Sequence, residues 1–210
     1  MKLVIFGATG NTGRQVVQAA LEQGHSVTAF VRNPAKLSDF DQSSLKVVQG
    51  DVMDALSVEQ AIRGQDAVVC VLGARKKLTG NLRSEGTRQI IQGMKRVGVR
   101  RLICQSTLGA GESWENLNFY WKYIMFGLIL RKVFADHEIQ EQIIKQSNLD
   151  WTIVRPGAFI EGEKTGLYRH GFSSTDKTIK LAISLPDLAD FIVQQVADSS
   201  YLHQTPGVSY

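Results

Sequence analysis

The stretch KLVIFGATGNTG, residues 2–13, decides the fold of this chain. Its first five residues form a short, mostly apolar run with β-branched side chains, which is typical of a buried strand. Gly7, Gly10 and Gly13 follow, and helical spacing begins at Asn11. The stretch therefore predicts a strand, a glycine-rich turn and a helix within one short unit.

The glycine turn is suited to binding an anion. A diphosphate can approach the backbone only where side chains are absent, and the helix N-terminus offers free N–H groups and a partial positive charge. A tight turn without a ligand is the alternative, but the position between strand and helix favours a dinucleotide. The residues that we expect to hold its diphosphate are Gly7, Thr9, Gly10, Asn11, Thr12 and Gly13.

The first two-thirds of the chain repeats this unit of a short apolar run and a longer stretch with helical spacing. The predicted strands are Lys2–Phe6, Val27–Val31, Leu45–Gln49, Ala67–Leu72, Arg101–Ser106 and Trp151–Val154. The predicted helices are Asn11–Gln23, Ala55–Arg63, Ser84–Val97 and Asp136–Gln146. Alternating strands and helices indicate a parallel sheet covered on both faces, and strands that are apolar throughout agree with this. We predict a Rossmann-type doubly wound α/β fold in which residues 1–210 form one domain.

The ends of these elements are marked by glycines and a proline. Three glycines follow predicted helices at positions where a left-handed residue is wanted. They are Gly24, Gly64 and Gly98. After Pro156 the pattern weakens, and we predict a short strand near Thr178–Leu181 and a last helix near Pro186–Ala197. We expect this C-terminal piece to close over the substrate side of the sheet.

Composition and charge narrow the classes of partner. The chain has 43% hydrophobic and 21% charged residues. Its net charge is +4, and its sequence contains no dense run of basic residues. We therefore expect a small anionic ligand and no nucleic acid. Cys70 and Cys104 lie in apolar runs, which favours a reducing compartment, and we expect a cytoplasmic protein without a signal peptide. The longest apolar run, Tyr123–Leu130, is shorter than the roughly 20 residues that span a bilayer.

The end of the second strand indicates which dinucleotide is bound. An acidic residue there would accept hydrogen bonds from the ribose hydroxyls. This chain has Arg32 instead, with Lys36 one helical turn later. Cationic side chains suit a 2′-phosphate, so the sequence favours NADPH/NADP⁺ over NADH. A solvated surface pair is the alternative interpretation.

Further candidates for cofactor contact follow the third and fourth strands. Asp51 could accept a hydrogen bond from the adenine amino group, or cap the next helix, and Val52 could pack on the adenine ring. Leu72 and Gly73 end the fourth strand, where the glycine would let the backbone pass close to the cofactor. Arg75 could reach a phosphate or lie solvated in a loop.

A family resemblance follows from these residues together with several further motifs. The further motifs are Gln65-Asp66-Ala67-Val68, Ser84-Glu85-Gly86-Thr87-Arg88, Met94-Lys95 and the run from Leu149 to Gly157. The chain resembles the atypical short-chain dehydrogenases/reductases, above all biliverdin-IXβ reductase/NADPH flavin reductase and NmrA-like proteins. The resemblance implies either hydride transfer from NADPH to a flavin or a linear tetrapyrrole, or NADP(H) binding without catalysis by a sensor or assembly factor.

One absence relative to that family bears on the chemistry. Typical short-chain dehydrogenases place a tyrosine four residues before a lysine as proton donor, and neither Tyr120 nor Tyr123 has a lysine at that spacing. The corresponding positions fall on Val133 and His137. We therefore expect no simple alcohol–ketone chemistry, but an acceptor that takes its proton from solvent, or no reaction.

Residues near the expected nicotinamide position lie at the ends of the fifth and sixth strands and at the start of the helix between them. The candidates for cofactor contact are Gln105 and Pro156, and those for catalysis are Ser106, Thr107 and His137. Thr107 matches a family hydroxyl beside the substrate, whereas Ala158 replaces a family histidine. His137 could instead be a surface residue in the first turn of a helix capped by Asp136. The other histidines show no metal-like spacing, so no metal is expected.

The segment from Asn118 to Phe134 is apolar almost all round. Three interpretations remain open: a wall or lid over an aromatic substrate, an oligomer or membrane-surface contact, and plain core. The expected ligand is thus a small planar substrate, and the oligomeric state is not predicted.

Overall fold

The computed structural model describes residues 1–40, 43–73 and 80–210. The strands in these ranges are β1 Lys2–Phe6, β2 Ser26–Val31, β3 Leu45–Gln49, β4 Ala67–Cys70, β5 Arg101–Gln105, β6 Asp150–Pro156, β7 Ala158–Ile160, β8 Arg169–His170, β9 Ala182–Ser184 and β10 Gly207–Ser209. The α-helices are α1 Asn11–Glu22, α2 Ala55–Ile62, α3 Leu82–Val97, α4 Arg131–Lys145 and α5 Leu185–Gln194. Short 3₁₀ segments cover Pro34–Leu37 and Gly111–Asn116, and a π-helical segment covers Tyr120–Ile129.

The central sheet of the described residues has eight strands in the order β3-β2-β1-β4-β5-β6-β10-β8. Its neighbours are parallel except for the β10–β8 pair, and a small sheet pairs β7 with β9. The strand order reverses beside β1, because the chain returns from β3 to pair β4 with the other side of β1. Ligands of open α/β sheets bind at such a reversal, outside the carboxyl ends of the strands.

Both faces of the central strands β1, β4, β5 and β6 are buried, which explains why these strands read as apolar runs. Along β1, Leu3 and Ile5 face the core layer that contains residues of α1 and α5. Val4 and Phe6 face the opposite layer, which contains residues of α2 and α3. The Rossmann-type doubly wound fold predicted from the sequence is confirmed.

One predicted strand is wrong. Thr178–Leu181 is not extended, and the strand in this region is β9, which pairs with β7 in register Ala158↔Ala182. Leu181 has φ +57°, a left-handed conformation that breaks an extended run just before β9 begins. The predicted left-handed positions are confirmed at Gly24, Gly64 and Gly98, which have φ +78°, +76° and +79°.

In the part of the chain that the structure describes, none of the helices combines the length and the apolar character needed to cross a membrane.

Candidate functional site

A cavity of about 420 Å³ and another of about 570 Å³ lie at the carboxyl edge of the sheet. The larger one, which we call the glycine groove, follows β1, β2, β3 and β4. Its lining residues are Phe6, Gly7, Thr9, Gly10, Phe30, Val31, Arg32, Lys36, Gly50, Asp51, Val52, Leu72, Gly73 and Leu82. The sequence-predicted contacts from four separate loops therefore meet in one cavity.

The glycine turn is shaped by close backbone approaches. Gly7 has φ +89°, and a Cβ built on it would lie 2.4 Å from the carbonyl oxygen of Val71. A Cβ on Gly13 would lie 2.1 Å from the carbonyl oxygen of Gly7, so α1 can begin this close to the turn only without a side chain there. Among the described residues no side chain caps the N-terminus of α1, and its first turn has no acidic residue. Its amide groups are thus suited to an anionic ligand.

The remaining residues of the predicted diphosphate site do not line the groove. Asn11, Thr12 and Gly13 belong to the first turn of α1, where Thr12 is buried and Asn11 is exposed. Gly13 acts through helix packing, as its distance to Gly7 requires.

The basic end of the groove is formed by Arg32 and Lys36, both exposed and both lining the cavity. Asn33 accepts a hydrogen bond from Ala35 N at 3.1 Å and so caps the 3₁₀ turn that carries Lys36. Neither cation forms an ion pair with a carboxylate among residues 1–40, 43–73 and 80–210. The two charges are placed where an anion entering the groove would meet them.

Asp51 lines the groove, and its interpretation as the cap of α2 is wrong. The N-cap of α2 is Asp54, whose Oδ1 accepts a hydrogen bond from Leu56 N at 3.2 Å. Asp51 Oδ1 accepts from Met53 N at 3.0 Å within the preceding turn. Arg75, which the sequence offered as a phosphate contact, lies outside the described residues.

The smaller cavity, which we call the aromatic pocket, follows β5 and β6. It brings together the predicted residues Gln105, Ser106, Thr107, His137 and Pro156. Its other lining residues are Arg83, Leu108, Leu117, Trp121, Phe126, Leu130, Val133, Gly157, Ala158, Phe159 and Leu181. The positions of the missing tyrosine and lysine therefore both face this pocket. The C-terminal piece also reaches it, through Leu181.

The groove and the pocket are neighbours. Leu82 lines the groove, and the next residue, Arg83, lines the pocket. Arg83 Nη2 lies 3.8 Å from the position that a Cβ on Gly73 would take. A ligand that runs along the groove past Gly73 would therefore end close to the pocket.

Polar atoms without partners are concentrated in the aromatic pocket. Four buried side-chain atoms of its lining have no hydrogen-bond partner among the residues that the structure describes. They are Arg83 Nε, Gln105 Oε1, Ser106 Oγ and His137 Nδ1. Buried polar groups in native proteins are almost always satisfied, so this clustering points to a ligand.

His137 is 7% exposed, so its interpretation as a surface residue is wrong. Helix α4 begins at Arg131, earlier than predicted, and His137 therefore lies in its second turn. Burial, and then the positive charge of Arg83, lower the pKa of His137 to about 3. The imidazole is neutral at physiological pH and can exchange hydrogen bonds but not serve as a cationic acid.

Asp136 does not cap its own helix either, because it lies within α4. Its carboxylate accepts hydrogen bonds from Arg83 N and Ser84 N, both at 3.1 Å, and from Ser84 Oγ at 2.5 Å. It thereby satisfies the first turn of α3 from the neighbouring helix. This contact fixes Arg83 next to the pocket.

A buried ion pair holds α4 against β6 behind the pocket. Arg155 is 1% exposed, and its Nε and Nη2 donate to the two carboxylate oxygens of Glu141 at 2.9 and 2.6 Å. Burial opposes ionisation of Glu141, but the hydrogen bonds and charge of Arg155 hold the pKa of this carboxyl below its ordinary value. The pair therefore fixes the helix that carries His137.

The π-helical segment has two different sides. Trp121 and Phe126 line the pocket, and Phe126, which is 7% exposed, stacks on Phe134 with ring centroids 4.6 Å apart. The opposite side is exposed and apolar, with Leu128 at 76% exposure. Its other exposed residues are Phe119, Tyr120, Tyr123, Ile124 and Ile129. The segment is thus a pocket wall with a bare outer face, and plain core is the wrong interpretation.

Sequence reasoning did not select Arg83, although it noted the motif that begins one residue later. The predicted helix began at Ser84, which left Arg83 in a loop, and the contact with Asp136 joins residues more than fifty positions apart. Its position at the start of the helix that follows the fourth strand, at the carboxyl edge of the sheet, is the signal that could have identified it.

Known proteins resemble this chain in sequence and structure. The family model described as NAD(P)H-binding matches residues 7–199. The photosystem II assembly factor Ycf39 of Synechocystis sp. is 27% identical over 165 residues, covering 77% of this chain and 46% of that protein. An uncharacterized chloroplastic protein of Arabidopsis thaliana is 31% identical over 177 residues, covering 79% of this chain and 61% of that protein.

Among solved structures, ChuY, an anaerobillin reductase from Escherichia coli O157:H7, has a TM-score of 0.81. It is 23% identical and the match covers 99% of this chain and 96% of that chain, which is evidence for the same fold. The chain spans 46% and 61% of the lengths of the two sequence relatives, less than two thirds of each.

Proposed function

We propose, from the premise that this chain belongs to the NAD(P)H-binding family, that it is an NADPH-dependent reductase that passes hydride to a flavin or a linear tetrapyrrole. Family membership confirms the resemblance read from the sequence and establishes the class of cofactor. The preference for NADPH, the acceptor and the residue roles are proposals.

The observation that carries the proposal is the aromatic pocket next to the glycine groove. Its volume of about 420 Å³ is in the range of small-molecule sites, and Trp121, Phe126 and Phe159 give it aromatic walls. A flat conjugated ring can stack on such walls. The unpartnered polar atoms could bind the heteroatoms at its edge.

The residues of the groove fit a dinucleotide, because the close backbone packing at Gly7 and Gly13 brings the start of α1, which no side chain of its N-cap residue Gly10 caps, next to the turn. When bound, NADPH supplies the hydride. Gly7, Gly10 and the first turn of α1 would hold the diphosphate, and Arg32 and Lys36 would bind the 2′-phosphate. Ser106 and Gln105 would orient the acceptor. Val133 cannot donate a proton and His137 is neutral, so the proton would come from solvent.

The experiment mixes the protein with NADPH and either FMN or biliverdin and follows the absorbance of the reduced nicotinamide. We expect acceptor-dependent oxidation that Trp121→Ala lowers without weakening NADPH binding. Tyr123→Ala, which removes an exposed aromatic ring from the same segment, is the matched control and should leave turnover unchanged. Tight NADPH binding with no oxidation by any flavin or bilin would contradict the proposal.

A second function is favoured by the bare outer face of the π-helical segment. Exposed apolar patches mark interaction surfaces, and one sequence relative is named an assembly factor. The chain would then hold NADP(H) and bind a protein or a membrane surface. A substitution at Phe126 would not test this surface, because its side chain is buried and lines the aromatic pocket. Leu128→Ser should release a captured partner, whereas turnover that persists unchanged in this variant would favour the reductase.

A cytoplasmic location remains part of the proposal. Cys70 and Cys104 are buried free thiols at opposite positions of the neighbouring strands β4 and β5, which suits a reducing compartment. The single domain and the lack of a nucleic-acid partner likewise stay predictions.

A further inference from the structure

We infer that the acceptor carries a carboxylate, and that Arg83 binds it at the end of the aromatic pocket next to the glycine groove. This inference rests on the proposed reductase function and names the chemical class of its substrate. Arg83 is also the residue that no sequence motif selected.

Arg83 is a buried cation without a full complement of partners. Its side chain is 13% exposed and lines the pocket, and its Nε is buried with no hydrogen-bond partner among the described residues. The nearest carboxylate oxygen in an ion pair, Asp136 Oδ2, lies 4.0 Å from its Nη1, beyond hydrogen-bond distance. A buried guanidinium in this state is costly unless a ligand completes it.

Asp136 gives the guanidinium a nearby charge but no hydrogen bond, since its Oδ2 lies 4.0 Å from Nη1 and its oxygens accept from Arg83 N, Ser84 N and Ser84 Oγ. Burial lowers the pKa of Arg83, while the charge of Asp136 opposes this shift. The pocket lining contains no carboxylate among the described residues, and its other polar side chains are neutral. The pocket lining therefore carries one positive charge, and the carboxylate beside it, Asp136, offsets that charge at 4.0 Å without a hydrogen bond to the guanidinium.

A carboxylate matches this arrangement in charge and shape. The guanidinium presents a planar fork of N–H donors that binds both oxygens of one carboxylate. Gln105, Ser106 and His137 remain for the neutral heteroatoms of the ring system. The competing anion is a phosphate of the cofactor, since Arg83 Nη2 also lies near Gly73 at the groove. Acceptor and cofactor affinities must therefore be measured separately.

The experiment compares biliverdin with its dimethyl ester, which has the same chromophore without carboxylates. Dissociation constants are measured by pigment absorbance in the presence of saturating NADP⁺. We expect the wild type to bind the free acid at least tenfold more tightly than the ester. Arg83→Met should remove that difference, and Arg83→Lys should keep part of it.

Two controls separate a binding effect from misfolding. Arg88→Met removes an exposed arginine from the same helix, whose Nε lies 3.6 Å from Glu85 Oε2. This variant should keep the preference for the acid. The melting temperature of each variant is compared with that of the wild type. Arg83→Lys keeps the positive charge, so the preference for the acid can still be measured in this variant if Arg83→Met does not fold.

The outcomes distinguish this inference from the proposed function. Equal binding of acid and ester, no binding of the acid, or an unchanged preference in Arg83→Met would each overturn the inference. A loss of NADP⁺ affinity in Arg83→Met, with the preference kept, would also overturn it and assign the guanidinium to the cofactor. Tight binding of the acid through Arg83 without NADPH oxidation would uphold the inference and overturn the reductase.

Discussion

The glycine groove and the aromatic pocket are neighbours at one edge of the sheet, but they are built in different ways. The groove is shaped by backbone, with Gly7 and Gly13 in contacts that exclude a Cβ. The pocket is shaped by side chains that come from β5, β6, α3, α4 and the π-helical segment. A backbone site is recorded in a short contiguous motif, whereas a side-chain site depends on contacts between distant residues. The groove can therefore be recognised from the sequence more easily than the pocket.

The sharpest test of this difference acts on the scaffold of the pocket. Glu141→Gln removes one partner of the Arg155 pair that joins α4 to β6, and leaves a buried cation with Glu112 as its remaining carboxylate. Breaking a buried pair costs about 3–5 kcal/mol, and Glu112 places the expected loss near the lower end. Urea unfolding measures it.

Lys145→Met is the matched control, since Lys145 pairs with the same carboxylate at 3.2 Å but is partly exposed. It should cost less than about 1 kcal/mol. A loss this small in Glu141→Gln as well would show that the pocket does not depend on the buried pair.

The groove is tested by adding one methyl group. Gly7→Ala places a Cβ 2.4 Å from the carbonyl oxygen of Val71 at φ +89°, and we expect a loss of about 2–4 kcal/mol in stability together with cofactor binding. Gly24→Ala is the control, because Gly24 has φ +78° but nothing within 4 Å of a Cβ. It should cost about 1–2 kcal/mol and leave NADPH affinity unchanged. Equal effects in the two variants would contradict the packing role of the turn.

A pH series tests the burial of His137 in the pocket. Its pKa is about 3 in the folded chain, against 6.5 ordinarily, so below pH 6.5 the unfolded chain binds a proton that the folded chain does not. The folded state therefore loses stability as pH falls through this window. His137→Gln removes the effect, and the stability of the variant relative to wild type should rise by about 2 kcal/mol between about pH 8 and pH 5. A difference that does not change with pH would place the imidazole in water.

Much of the fold could be predicted from the sequence. The bounds of β1 and β3 are confirmed to the residue. β1 is buried and reads as an apolar run, whereas β3 is a largely exposed edge strand whose end is marked by Gly50 and Asp51. The lining of the groove could also be predicted, because Gly7, Arg32 and Gly73 each follow a parallel strand and therefore lie at the same edge of the sheet.

The pocket was only partly legible, because its decisive contacts are not local. The sequence indicated that Asp136 caps its own helix, but it caps α3 instead, which no spacing records. That contact, in turn, positions Arg83. Thr178–Leu181 failed as a strand for a related reason, since the register with β7 and the left-handed Leu181 decide where pairing begins.

The smallest expected effect concerns the two basic side chains that the sequence predicted in the groove. Arg32 and Lys36 line its basic end. If they bind the 2′-phosphate, NADPH should bind about tenfold more tightly than NADH, since a charge-assisted contact at an exposed site contributes about 1.5 kcal/mol. The preference should shrink with added salt. Arg32→Asp should lower or invert it, because a carboxylate repels the phosphate and accepts from the ribose hydroxyls.

Arg63→Asp, at an exposed arginine of the α2 C-cap paired with Glu59, is a control for net charge. Titration of both cofactors against the three proteins measures the effect. A preference unchanged in Arg32→Asp would mean that even this part of the groove selects its ligand through backbone alone.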